Sequence, residues 1–159
     1  PSFVYGPERD LPEIRKRAFI DLTPDFGPHQ AHPTAGAICV GARQVLVAYN
    51  IWLKNSTIED GRRIAREIRS PQVRTLGLQL GSEIQVSMNL ISPDVAGPDF
   101  VFDEVAKRAE ISRAELVGLV PARVLTQISK SRWTELDLSK EKTIEWCLAT
   151  RNRALQNLN

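Results

Sequence analysis

The stretch PDFGPHQAHPTAGAICVGARQVLVAYN, residues 24–50, gathers the side chains of this chain best equipped for chemistry. Both histidines, His29 and His32, lie there with Asp25, Phe26, Gln30, Thr34, three prolines and one of the two cysteines. A carboxylate at 25 accepts hydrogen bonds, while imidazoles at 29 and 32 and the hydroxyl at 34 donate to carboxylates or amides. Gly27 allows backbone to approach a planar ligand, and Pro28 and Pro33 stiffen the loop so that little entropy is lost on binding. The loop feeds directly into a hydrophobic run. For any one of these residues a purely structural connection is an equal explanation; for the loop as a unit, ligand holding is the better one.

Composition narrows the class of ligand. The 159 residues carry 21 basic and 19 acidic side chains, a net charge of +2 spread along the chain. No Lys or Arg run forms the stripe of a nucleic-acid binder, whereas a weak positive balance suits a small anion. No apolar stretch approaches membrane-spanning length and no signal peptide is visible. Cys39 and Cys147 stand far apart, without metal-ligand spacing, and read as reduced, buried thiols of a cytoplasmic protein. No metal site is expected. The first residue is Pro1 and not methionine, which favours a portion of a longer protein.

Several elements must position the loop. Ser2 to Tyr5 reads as a strand, Leu11 to Ala18 as a helix and Ala37 to Val40 as a second extended run. Gln44 to Leu53 is apolar on both faces. Ser56-Thr57-Ile58-Glu59 fits a capping box with Ser56 as N-cap and Glu59 at N3, opening a helix with Ile64, Ala65 and Ile68 on one side. Leu76, Leu78 and Leu80 alternate as a strand, and Gly81-Ser82 turns the chain. In Glu83 to Ile91, Ile84, Val86, Met88 and Leu90 face one way, Gln85, Ser87 and Asn89 the other. Pro98 opens a helix with Val101, Phe102, Val105 and Ala109 as its stripe. Ala114 to Val120 is a fourth strand, and Pro121 opens a helix with Val124, Leu125 and Ile128. Ser139 caps a last helix with Ile144, Cys147, Leu148 and Leu155 inward. Trp52, Trp133 and Trp146 read as packing residues.

The order from Gln44 is βαββαβ plus two helices, the split βαβ or ferredoxin-like arrangement, in an antiparallel and mixed sheet with helices on one face. A solvated second face is ordinary for such sheets. Here the first strand is apolar on both sides, so that face is expected to pack on another subdomain and hold its polar residues there.

The residues PDFGP, HPTAGAICVGARQVLVAYNIWL, IQVSMNL and AELVGLVP resemble the formiminotransferase domain, from about Phe3 to beyond Pro121. That is the glutamate formimidoyltransferase family, also present as the first half of the bifunctional formimidoyltransferase-cyclodeaminase. The resemblance implies an α+β fold: residues 1–43 as the end of a first α/β subdomain, including a folate-contacting loop, and 44–159 as a ferredoxin-like second subdomain with extra helices. It implies two sheets packed around a folate channel. It further implies transfer of a formimidoyl group between tetrahydrofolate and glutamate in histidine degradation. The partners implied are folate, glutamate-type small molecules and a missing segment of the first subdomain; a homodimer is compatible with it.

The ten residues Asp25, Phe26, Gly27, Pro28, His29, Gln30, Ala31, His32, Pro33 and Thr34 match the family's folate-contacting loop. Phe26 can then face a pterin or aminobenzoyl ring, and Asp25 can accept from pterin N–H groups. Arg43 can pair with a carboxylate of glutamate or of the folate tail, or fix the junction by pairing with Glu115 or Asp25. Asn50, Gln85, Asn89 and Glu115 are polar residues on apolar strands, open to substrate or junction roles. The family's base is a histidine upstream of the matched residues, so no catalytic residue is assigned here, and the chain alone is expected to be inactive. The alternative is a shortened, non-catalytic homologue that binds folate or a protein.

Overall fold

A computed structural model describes residues 1–156, with side chains as far as residue 152. Two compact units divide the chain, Pro1–Gln44 and Val45–Asn159.

In the first unit, β1 (Ser2–Tyr5) pairs in parallel with β2 (Ile38–Gly41). Between them lies the helix α1 (Leu11–Arg17), whose N-cap Asp10 accepts from the Glu13 N–H. Ile14 of α1 and Phe3 of β1 are buried, and Phe19 meets Phe3 edge-on with ring centroids 5.2 Å apart. Gly41 is required for the strand pair, because a Cβ there would lie 2.0 Å from the Tyr5 carbonyl oxygen.

The second unit is built on β3 (Val47–Leu53), β4 (Val73–Leu80), β5 (Glu83–Leu90) and β6 (Ile111–Val117), in spatial order β4-β5-β3-β6. The first and third strands of the βαββαβ order are thus central, as a ferredoxin-like sheet requires. All three strand pairs are antiparallel, so this sheet is not mixed; the parallel pair belongs to the first unit. The helices α2 (Ile58–Glu67), α3 (Pro98–Ala106) and α4 (Ala122–Gln127) bury Ile64, Val101, Val105, Val124 and Leu125 in one core with Val47, Tyr49, Ile51, Ile84, Val86, Met88 and Leu90. Each such side chain contributes about 1.5–3 kcal/mol through burial. The Tyr49 hydroxyl is buried with them and donates to the Leu136 carbonyl at 2.8 Å; burial pushes its pKa up.

A close backbone approach sets the face of β4. α2 crosses β4 where Gly61 meets Gly77, and a Cβ at 77 would lie 2.4 Å from the Arg62 nitrogen. Gly77 must therefore face the helix with Val73 and Thr75, and Leu76, Leu78 and Leu80 turn to the open face, where Leu76 is 60% exposed. The β4–β5 turn is Gly81-Ser82, and Gly81 takes φ +62, as primed hairpin turns require.

Local signals are displaced at several ends. The capping box uses Thr57 and Asp60: Thr57 Oγ1 accepts from the Asp60 N–H at 3.2 Å, and the Asp60 carboxylate accepts from the Thr57 N–H at 3.0 Å. Ser56 instead donates to the Lys54 carbonyl. STIED satisfies either register, and a carboxylate on the shorter Asp side chain closes the ring one residue on. Ser139 precedes a 3-10 turn, Lys140–Lys142, and α5 (Ile144–Gln156) begins after Thr143, whose hydroxyl accepts from the Trp146 N–H. Ile144 and Cys147 are half-buried and Leu148 is exposed, so α5 is less inward than its apolar stripe implies; Leu155 lies outside the described side chains. Cys39 is half-buried as well, so neither thiol is a core residue. The β3 and β6 ladders start at Val47 and Ile111, not at Gln44 and Ala114.

The cap register generates a prediction. Thr57→Ala should destabilise the protein by about 1 kcal/mol, the usual cost of an N-cap, whereas Ser56→Ala should be nearly neutral. Urea denaturation of both variants measures the difference, and the reverse order would restore Ser56 as the cap.

Candidate functional site

Along the edge of β1 the loop at 25–34 is attached by backbone bonds. The Ser2 N–H donates to the Phe26 carbonyl at 2.9 Å, and the Ser2 carbonyl accepts from the Asp25 and Phe26 N–H groups at 3.0 and 3.3 Å. Gly27 then turns the chain away with φ +85. Asp25 Oδ2 accepts from the Val4 N–H at 2.7 Å and pairs with Arg9, which also donates to the Val4 carbonyl from Nε and Nη2 at 3.0 and 2.6 Å. The Val4 N–H above all, helped by Arg9, holds the Asp25 carboxyl below its ordinary value of 3.8, against desolvation. An open cleft of about 800 Å³ lies here, lined among others by Val4, Glu8, Arg9, Asp25 and Gly41.

Beyond Gly27 the loop is exposed throughout, from Pro28, His29, Gln30 and Ala31 to His32, Pro33 and Thr34, and Phe26 is 67% exposed. His32 and Gly36 exchange backbone bonds at 2.8 and 2.9 Å. Within that closed turn His32 Nδ1 accepts from the Thr34 and Ala35 N–H groups at 3.3 and 3.1 Å. The ring proton therefore sits on Nε2, which is the nitrogen left to donate outward. Arg43 is exposed and donates to the Gln44 carbonyl. The partners foreseen for it are otherwise engaged: Asp25 by Arg9, and Glu115 by residues of its own sheet.

On the open face of the second unit's sheet, registers align Leu76, Ser87, Asn50 and Glu115 in one row and Leu78, Gln85, Trp52 and Arg113 in the next. Glu115 Oε2 accepts from Asn50 Nδ2 at 3.1 Å and from Trp52 Nε1 at 2.9 Å. The Arg113 guanidinium lies over the Trp52 ring, 4.1 Å from its centroid, and pairs with Glu83, whose carboxyl it holds below the ordinary value. Gln85 is 4% exposed although it faces away from the helices, because Trp52 and Leu78 flank it. Asn89 is exposed. The structure thus joins Asn50 to Glu115 and makes Trp52 part of the same polar cluster. Arg9 and Trp52 are the residues whose roles the sequence did not display: Arg9 meets Asp25 across 16 positions with no shared periodicity. Among the described residues no three His, Cys, Asp or Glu side chains form a group able to hold a metal, and no helix is long and apolar enough to cross a membrane.

An α+β protein with a ferredoxin-like sheet and an exposed, edge-anchored polar loop is a class that serves many functions. No family model matches the chain. The glutamate formimidoyltransferase of Streptococcus pyogenes is 31% identical to it over 157 residues, covering 82% of this chain and 52% of that protein. The glutamate formimidoyltransferase of Thermoplasma acidophilum is 36% identical over 159 residues, with the same coverages of 82% and 52%. The formimidoyltransferase-cyclodeaminase of Sus scrofa is 36% identical over 143 residues, covering 79% of this chain and 26% of that protein. The chain belongs to the formiminotransferase family. It spans about half the length of the two glutamate formimidoyltransferases and about a quarter of the Sus scrofa protein.

Two outcomes follow from the side-chain geometry. Glu115→Ala leaves the Trp52 indole N–H without its acceptor in a nearly buried position and should cost about 1–3 kcal/mol; Glu115→Gln, which keeps an acceptor oxygen, should cost less. Chemical denaturation of the two variants is the check. For Asp25 the folded carboxyl titrates below the unfolded one, so its stabilisation is complete above the unfolded value of 3.8 and is lost as pH falls through the folded value. Melting at pH 7 and pH 3 should show Asp25→Asn less acid-sensitive than the wild type, and equal sensitivity would remove the bond to Val4 from the account.

Proposed function

We propose that this chain is part of a folate-dependent glutamate formimidoyltransferase, which moves a formimidoyl group between tetrahydrofolate and glutamate in histidine degradation. The observation that carries the proposal is 31–36% identity to proteins of that name over about four-fifths of the chain. Tetrahydrofolate is the substrate and carrier, and it supplies the nitrogen chemistry of the one-carbon group.

The loop of residues 25–34 fits a folate. Phe26 offers an exposed aromatic face beside a Gly that carries no side chain, suited to the pterin or aminobenzoyl ring. The exposed His29, Gln30 and His32 Nε2 suit the amide and carboxylates of the tail. Closure of the turn by His32 Nδ1 supports a preformed cradle, in which little chain entropy is lost on binding. His29 and His32 are assigned to binding and not to proton transfer. Arg43, exposed and donating to the Gln44 carbonyl, suits a glutamate or folate carboxylate. Asn50, Gln85, Asn89 and Glu115 line the open sheet face. Asn50 and Glu115 already fix one another there, which leaves Asn89 the freest of the four for substrate. A cytoplasmic setting suits such a metabolic transferase.

The test is calorimetric titration of 5-formyltetrahydrofolate into the complete protein that contains this chain. Phe26→Ala should weaken binding by about 0.5–1.5 kcal/mol, the worth of an aromatic pair, and His32→Ala should weaken it less. Equal affinities for wild type and Phe26→Ala would assign the loop to structure alone.

A further inference from the structure

We infer that Arg9 is a positioning residue of the folate-contacting loop, acting through Asp25 and the edge of β1; the inference rests on the folate reading above. The argument begins at the register. Ser2 and Phe26 form an antiparallel bridge, and one step further along the same edge Val4 would face Pro24. Proline has no N–H, so the Val4 carbonyl has no backbone donor on that side, and the ladder cannot continue. Two side chains complete the rung. Arg9 Nε and Nη2 donate to the Val4 carbonyl at 3.0 and 2.6 Å, in the place of the missing N–H. Asp25 Oδ2 accepts from the Val4 N–H at 2.7 Å and from Arg9 Nη2, which closes the set.

This lock sits two residues before Gly27, where φ +85 sends the loop away from β1. The direction in which Phe26 and residues 28–34 leave is therefore set by a guanidinium fork that belongs to none of them. The fork matters geometrically: three N–H···O bonds from two nitrogens in one plane hold two acceptors at a fixed separation, which a single ammonium cannot do. Phe3 and Ile14 pack the first unit independently of it, so loss of Arg9 should free the loop while the unit stays folded. Asp25 is on this account a strut, its Oδ2 spent on Val4 and Arg9, and its effect on folate and that of Arg9 are one effect.

The experiment is a double-mutant cycle in the complete protein that contains this chain, with Arg9→Met, Asp25→Asn and the pair, and Arg9→Lys as the conservative variant. Binding of 5-formyltetrahydrofolate, KM for the folate substrate, kcat and melting temperature are measured. Arg9→Met should weaken binding roughly tenfold, the scale of one lost charge-assisted bond, with KM raised and kcat kept because the loop binds ground and transition states alike. Arg9→Lys should recover part of the loss, and the double variant should be no worse than the worse single one. Unchanged binding in Arg9→Met overturns the inference, as do multiplied effects in the double variant, which would make Asp25 an independent ligand contact. Loss of folding in Arg9→Met also overturns it, since the residue would then belong to the general scaffold. A wild-type protein that binds no folate fails earlier, overturning the folate reading and the role of Arg9 in binding with it.

Discussion

The approach of α2 to β4 is the constraint on which the second unit's surface depends. A backbone contact this close admits only hydrogen at position 77, and side chains along a strand alternate with period two. Once Gly77 lies under the helix, every residue of β4 has its face assigned, and the hydrogen-bonded registers carry that assignment through β5 and β3 to β6. Val86, Ile51 and Ala114 share the row of Gly77 and join the core; Gln85, Trp52 and Arg113 fall on the other side. The polar cluster on the open face is thus positioned by a contact on the opposite one.

That open face is divided by chemistry. Leu76, Leu78 and Leu80 run along β4 and Val117 stands exposed on β6, while Ser87 and Asn50 lie on the central strands and Glu115 reaches them from β6. Trp52 reconciles the two characters. Its ring is nearly buried among neighbours on the sheet, its N–H is satisfied by Glu115, and its face takes the Arg113 guanidinium, an attraction worth roughly 0.5–2 kcal/mol depending on exposure.

The sequence discloses what is periodic and local. The alternation of Ile84, Val86, Met88 and Leu90 against Gln85, Ser87 and Asn89 reads directly, as do the stripes of α2, α3 and α4, because burial and period coincide. The cap of α2 is legible as a type and wrong by one residue, since Ser56-Thr57 and Glu59-Asp60 are both competent pairs. β4 is legible as a strand but not in its orientation: Leu76, Leu78 and Leu80 alternate, and a glycine, which carries no hydrophobic signal, turns them to the open face. α5 keeps an apolar stripe that the fold leaves partly in water. In the loop, the residues that hold its base are separated in sequence, and only the proline at 24 hints that Val4 must find its partners elsewhere.

The same device recurs at two strand edges. Asp25 takes the N–H of Val4 on β1, and Asp137, in a left-handed conformation at φ +55, takes the N–H of Leu116 on the outer edge of β6 at 2.9 Å. Each carboxylate is held by a cation, Arg9 in one case and Lys142 in the other. A free strand edge is a template on which another polypeptide can add itself. An edge N–H already taken by an anion offers a foreign strand's carbonyl no donor and confronts it with negative charge. At these two positions the edge is therefore closed to an added strand by an ion pair and not by a further strand.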